Sequence, residues 1–115
     1  MPYDEDLADR LRDTYAARVS PEHMSERQMF GGICFMVRGH MSCGVVGATL
    51  MARVGPDGYL DALEQPHARE MDFTGRPLRG MVYVDPPGLR SDAELAAWVE
   101  RTLGFVNSLP PKPGA

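Results

Sequence analysis

Three apolar segments joined by two short glycine turns constrain this chain more than any other feature of its sequence. The segments cover residues 33–37, 40–46 and 49–54, and the dipeptides Arg38-Gly39 and Gly47-Ala48 separate them. Two-residue loops that contain glycine connect neighbouring antiparallel strands, because they need a positive φ. A further strand over 24–30 meets Gly31-Gly32, a pair typical of a bend or bulge. We therefore predict an antiparallel meander of four strands.

Helical periodicity predicts three helices around this meander. Leu7, Leu11 and Tyr15 form one apolar stripe in the segment 4–19. A short helix follows Pro56, and the capping-box spacing of Ser91 and Glu94 begins the last helix. Two more strands are expected over 69–73 and 80–84. The predicted fold class is α+β, a two-layer sandwich with helices on one face of a mainly antiparallel sheet, in the order α-β(4)-α-β(2)-α. We expect one domain over 1–109 and a frayed Pro/Gly tail over 110–115.

Strand alternation then assigns side chains to the two faces of the sheet. With Arg38-Gly39 as the turn, Cys34 lies opposite Cys43, and both point towards the helices together with Met36 and Met41. The outer face would hold an apolar patch, and such patches mark interfaces when they are left uncovered. Covering by the chain's own helix or loop is the equally weighted alternative. The interface candidates are Ile33, Phe35, Val37, Val46 and Met51.

Charge and composition exclude several classes of protein. The formal net charge is −4 and the pI is about 5.3, which argues against direct nucleic-acid binding through clustered Lys and Arg. No apolar run has the length of a membrane span. The acidic N-terminus lacks the features of a signal peptide, so we expect a cytoplasmic protein with reduced cysteines.

The residues that could carry chemistry form no recognisable active site. Cys34 and Cys43 could form a metal or redox pair, but buried structural thiols are the favoured interpretation. None of the three histidines stands in a metal-binding or nucleophile motif. We therefore expect no enzyme activity, no cofactor and no metal site. Arginine can bind phosphate or carboxylate through two hydrogen bonds, so the candidates for anion binding are Arg53, Arg76 and Arg79.

Five segments in a fixed order carry a family resemblance. They cover residues 29–32, 43–47, 50–55, 71–77 and 80–86, and they read MFGG, CGVVG, LMARVG, MDFTGRP and GMVYVDP. Together they resemble the N-terminal domain of the TfoX/Sxy competence regulators over nearly the whole chain. The resemblance implies an α/β sandwich, a bacterial regulatory role and no catalytic residues. It also implies that full-length members add a helical C-terminal domain and control competence genes with a cyclic-AMP receptor regulator. Since this chain stops at Ala115, we expect the stand-alone form of the domain.

These observations lead to two hypotheses about function. The first is a non-enzymatic regulatory or protein-binding module that acts through its sheet surface, with a symmetric homodimer as the default assembly. The alternative is a small-molecule or anion-binding domain that uses Arg53, Arg76 and Arg79. Direct binding to DNA ranks third, and a membrane partner is not expected.

Overall fold

The computed structural model describes residues 3–29, 31–72, 75 and 78–110. Short 3-10 turns cover Pro21–His23 and Pro86–Leu89. The order of helices and strands is the predicted one. The helices and strands are α1 (Glu5–Ala16), β1 (Met24–Met29), β2 (Gly32–Val37), β3 (His40–Val46), β4 (Thr49–Arg53), α2 (Tyr59–Leu63), β5 (Ala68–Glu70), β6 (Met81–Val84) and α3 (Asp92–Val106).

The sheet is antiparallel and has the strand order β1-β2-β3-β4-β6-β5. The predicted α+β class is therefore confirmed. The strands β1 and β5 form the two edges, and β1 is the longer edge. The helices α1 and α3 pack against each other and against β3 on one face of the sheet. No helix in the described part of the chain is long and apolar enough to cross a membrane.

Local signals in the sequence place the turns and the last helix correctly. Arg38 and Gly39 have φ angles of 49° and 85°, as a type I′ hairpin turn requires. The side chain of Ser91 accepts a hydrogen bond from the Glu94 amide, and Glu94 accepts one from the Ser91 amide, so the predicted capping box begins α3. The predicted frayed tail lies outside the described residues apart from Pro110.

A β-bulge in the centre of the sheet overturns the predicted pairing of Cys34 with Cys43. Met36 lies opposite Met41 as expected, but Phe35 lies opposite Cys43, so Ser42 is an extra residue without a partner on β2. Cys34 consequently lies opposite Gly44. The predicted register assumed a regular ladder. One inserted residue changes the face of the sheet that is assigned to every residue pair on one side of the bulge.

The bulge reverses the predicted faces of β2. Ile33, Phe35 and Val37 belong to the core beneath the helices, whereas Cys34 and Met36 lie on the outer face. The prediction that Ile33, Phe35 and Val37 form an interface on the outer face is therefore wrong, because their side chains lie on the helix side of the sheet. For β4 the predicted faces are correct, since that strand pairs with β3 beyond the bulge.

Apolar side chains pack on both faces of the sheet, and the two clusters differ in chemistry. The helix side combines branched and aromatic side chains from the sheet and all three helices. On the outer face, every buried member of the cluster carries sulfur. These members are Cys34, Met36, Met41, Met51 and Met71. We call this set the sulfur cluster.

Candidate functional site

An apolar groove opens between α1 and the edge strand β1, and we call it the α1–β1 groove. Its volume is about 290 Å³. Small-molecule sites usually measure about 300–1,000 Å³, so this groove has room for one or two side chains of a partner rather than for a large ligand. The groove is lined by Arg12, Tyr15, Ala16, Val19, Pro21, Met24, Ser25, Glu26 and Phe35.

Aromatic stacking forms the floor of the groove. The rings of Tyr15 and Phe35 lie 5.9 Å apart, centroid to centroid, with an interplanar angle of 21°. Tyr15 ends the apolar stripe of α1, and the bulge directs Phe35 towards it. Both side chains are about 99% buried, with 1% exposure each, so the floor is rigid and apolar.

An ion pair closes one side of the groove. Arg12 donates from Nε to Glu26 at 2.7 Å and from a terminal nitrogen to the second carboxylate oxygen at 2.8 Å. The guanidinium also lies 5.8 Å from the centre of the Phe35 ring. The hydrogen bond from Arg12 lowers the pKa of Glu26, and the same contact raises the pKa of Arg12. Arg12 also donates to Asp9 at 2.6 Å, so the rim is ionised near pH 7 and its guanidinium is paired with two carboxylates.

Behind the floor, a chain of hydroxyl groups connects α1, β3 and α3. Tyr15 Oη donates to Ser42 Oγ at 2.6 Å, and Thr102 Oγ1 donates to the Val99 carbonyl oxygen at 2.8 Å. Ser42 therefore donates its own proton across the 2.8 Å contact to Thr102. Burial raises the pKa of Tyr15. All these hydroxyls are occupied in the interior, so none is free to react in the groove.

A comparison with protein-family models identifies the family. The model of the TfoX N-terminal domain matches residues 16–106. This chain belongs to the TfoX N-terminal domain family. No curated protein and no solved structure matches the chain.

The TfoX N-terminal domain match covers most of the chain but only part of the groove. It begins at Ala16, in the last turn of α1, and ends at Val106, the last residue of α3. The matched segment therefore contains the β1 side of the groove, including Glu26. Arg12 and Tyr15, which supply the other half of the rim and floor, precede it.

The remaining interface candidates lie on the outer face of this TfoX N-terminal domain. Met51 is fully buried there in the sulfur cluster, and Val46 is partly buried against it. Their predicted orientation is correct. The outer face is not the open apolar patch that the sequence predicted, because the apolar side chains described there are buried or partly buried in and around the sulfur cluster.

The three arginines proposed for anion binding have separate surroundings where they are described. Arg53 lies 5.3 Å from the centre of the Phe105 ring and donates to the Met41 carbonyl oxygen at 3.4 Å. Arg79 is exposed and lies near Tyr59. Burial and the charge of Glu70 raise the pKa of Tyr59, and the positive charge of Arg79 lowers it. Arg76 lies outside the described residues. Convergence of the three on one anion stays a prediction.

The two cysteines lie on opposite faces of the sheet. Cys34 belongs to the sulfur cluster, and Cys43 lies on the helix side, 3.6 Å from Thr102 Oγ1. Burial raises the pKa of each thiol to about 11, so both remain protonated at neutral pH. Within the described ranges, no three His, Cys, Asp or Glu residues form a cluster that could hold a metal ion.

Sequence reasoning missed the groove because its walls come from segments that no local pattern connects. Arg12 and Glu26 are fourteen residues apart, and each looks like an ordinary surface charge in its own helix or strand. Because of the bulge, regular alternation of side chains assigns Phe35 to the wrong face of the sheet. The available signal was Val19, which continues the four-residue spacing of Leu11 and Tyr15 beyond the helix end at Ala16.

Proposed function

We propose that this TfoX N-terminal domain is a non-enzymatic regulatory module that binds a partner protein at the α1–β1 groove. The observation that carries the proposal is an apolar groove of side-chain size beside an edge strand. Partner segments bind at such places because a pocket supplies specificity and the adjacent backbone supplies hydrogen bonds. Family membership supports a regulatory role, since the family is that of competence regulators.

The state of the polar groups around the groove supports a binding role over a catalytic one. Arg12 is already paired with Glu26 and Asp9. The hydroxyl of Tyr15 points into the core and donates to Ser42. A general acid, base or nucleophile needs a free group within reach of the substrate, and these three groups are already engaged.

The neighbouring residues Ala16 and Ala17 provide a matched pair of variants. Both are exposed at the end of α1, but only Ala16 lines the groove. The Ala16→Arg side chain would occupy the groove at small cost to folding, and Ala17→Arg adds the same charge next to it. A photo-reactive side chain introduced at position 17, beside the groove but outside its lining, in cells that express the protein would first trap the partner.

Binding of the purified partner is then measured by calorimetry. We expect Ala16→Arg to weaken the complex by at least tenfold, because the inserted side chain displaces an apolar group worth about 1.5–3 kcal/mol. We expect Ala17→Arg to bind like the unmodified protein. Equal affinities for the two variants, or no partner trapped from position 17, would overturn the proposal. Thermal melting of both variants confirms that each is folded.

A further inference from the structure

The hydrogen-bond pattern between β1 and β2 shows which backbone groups of β1 point away from the sheet. The His23 carbonyl oxygen accepts from the Arg38 amide at 2.8 Å, and Met24 lies opposite Val37. Bonded and non-bonded pairs alternate along an antiparallel ladder. Glu26 and Gln28 therefore turn their N–H and C=O groups away from β2. Among the described residues, no backbone group pairs with them.

The side chains of β1 alternate between the groove and the outer face. Met24 and Glu26 lie on the helix side, where Met24 lines the groove and Glu26 bonds to Arg12. Arg27 lies opposite Cys34, so its exposed side chain is on the outer face. In the described part of the chain, no carboxylate lies within 4.0 Å of the Arg27 guanidinium.

The charges on β1 disfavour a second copy of this chain as the partner at this edge. Two copies of β1 related by a two-fold axis can pair only through residues with free backbone groups. In the two registers that overlap most of the strand, either Glu26 lies opposite Glu26 or Arg27 lies opposite Arg27. Like charges directly opposite each other destabilise a strand pair, so the charges on β1 favour a different chain as the partner.

We propose that the partner adds an extended antiparallel segment to β1, bonded to the backbone of Glu26 and Gln28. This inference rests on the proposed function. The segment carries an acidic residue opposite Arg27 and, three positions nearer its C-terminus, an apolar residue opposite Met24. An odd separation puts these two side chains on opposite faces of a strand. The acidic group meets the free guanidinium, and the apolar group enters the groove.

Peptides selected from a displayed library of random nine-residue sequences test this pattern on the whole folded chain. We expect the selected peptides to share an acidic residue followed by two others and then an apolar residue. Replacement of that apolar residue by Ala should weaken binding about tenfold or more. When the library is selected for binding to the Arg27→Glu variant, we expect the peptides to carry a basic residue in place of the acidic one. Arg90→Glu, which changes charge outside β1 and the groove, should select the original pattern.

Methylation of individual peptide nitrogens distinguishes strand addition from side-chain docking. Because only alternate residues of an added strand bond to β1, methylation should abolish binding at every second position and leave the positions between unaffected. Uniform tolerance, absence of the pattern, or an unchanged pattern with Arg27→Glu would overturn the inference. If Ala16→Arg still weakened the trapped partner in that case, groove binding would stand and only the strand model would fail.

Discussion

Deletion of Ser42 should leave the fold intact, although the residue lies in the middle of a central strand. Ser42 is the unpaired residue of the bulge, so its removal joins Met41 to Cys43 in a regular ladder. The pairs of Met36 with Met41 and Phe35 with Cys43 would then follow each other without a shift. Every side chain on either side of the deletion keeps its face.

The cost of this deletion comes from the hydroxyl chain. Tyr15 Oη loses its acceptor at 2.6 Å and retains only Thr102 Oγ1 at 3.4 Å. A buried donor without a good partner costs about 1–3 kcal/mol, and the space left by a small side chain adds about 1 kcal/mol. We expect a total loss of about 2–4 kcal/mol, which a domain with about 5–15 kcal/mol of stability survives.

Urea unfolding followed by fluorescence of the single tryptophan, Trp98, measures this loss. A nuclear Overhauser effect between the rings of Tyr15 and Phe35 shows that Phe35 stays beneath α1, as in the parent. Deletion of Val45 is the control, because it shifts a regular part of β3 and turns side chains onto the wrong face. If removing Ser42 prevented folding as removal of Val45 should, the bulge argument would be wrong. Adding Tyr15→Phe to the Ser42 deletion should be neutral or stabilising, whereas Tyr15→Phe alone should cost about 1 kcal/mol.

Three further predictions concern the groove rim, the sheet and the thiols. Glu26→Gln should lower stability by about 1 kcal/mol or less at pH 7, because the pair is partly exposed. Since the pKa of Glu26 is lowered in the folded protein from its usual 4.5, this difference should shrink as the pH falls below 4.5, which urea unfolding at several pH values would show. Gly44→Ala should destabilise the protein by about 1–3 kcal/mol, because its Cβ would lie 2.5 Å from the Met51 methyl group and 2.9 Å from a backbone carbonyl oxygen. Adding Met51→Ala should restore none of the lost stability, since the contact with the carbonyl remains and a cavity forms. The buried thiols of Cys34 and Cys43 should resist a disulfide reagent at pH 8 in native protein and react in urea, and rapid native reaction would contradict their placement.

The sequence predicted the parts of the fold that depend on neighbouring residues. The hairpin turn at Arg38-Gly39 and the capping box of Ser91 and Glu94 each depend on residues within a few positions, and both are confirmed. The pairing of Val45 with Leu50 across the Gly47-Ala48 turn is also correct. Local geometry determines these features without help from the rest of the chain.

The features that sequence reasoning missed depend on distant contacts. Nothing in the strand sequence marks Ser42 as an inserted residue, because its bulge is stabilised by Tyr15 and Thr102 from two separate helices. Because of this one inserted residue, Phe35 lies in the core and not on the outer face where regular alternation placed it. The α1–β1 groove was missed for the same reason, since Phe35, which forms part of its floor, was assigned to the opposite face.

The contrast between the two sides of the sheet gives the molecule uneven stiffness. On the helix side, Val37, Val45 and Val84 are branched at Cβ, so few rotamers are open to them. The sulfur cluster on the other side is built mostly of unbranched thioethers, which pivot about three bonds and can repack around a changed neighbour. The methionine side of the sheet should therefore adapt to a changed side-chain shape more readily than the helix side.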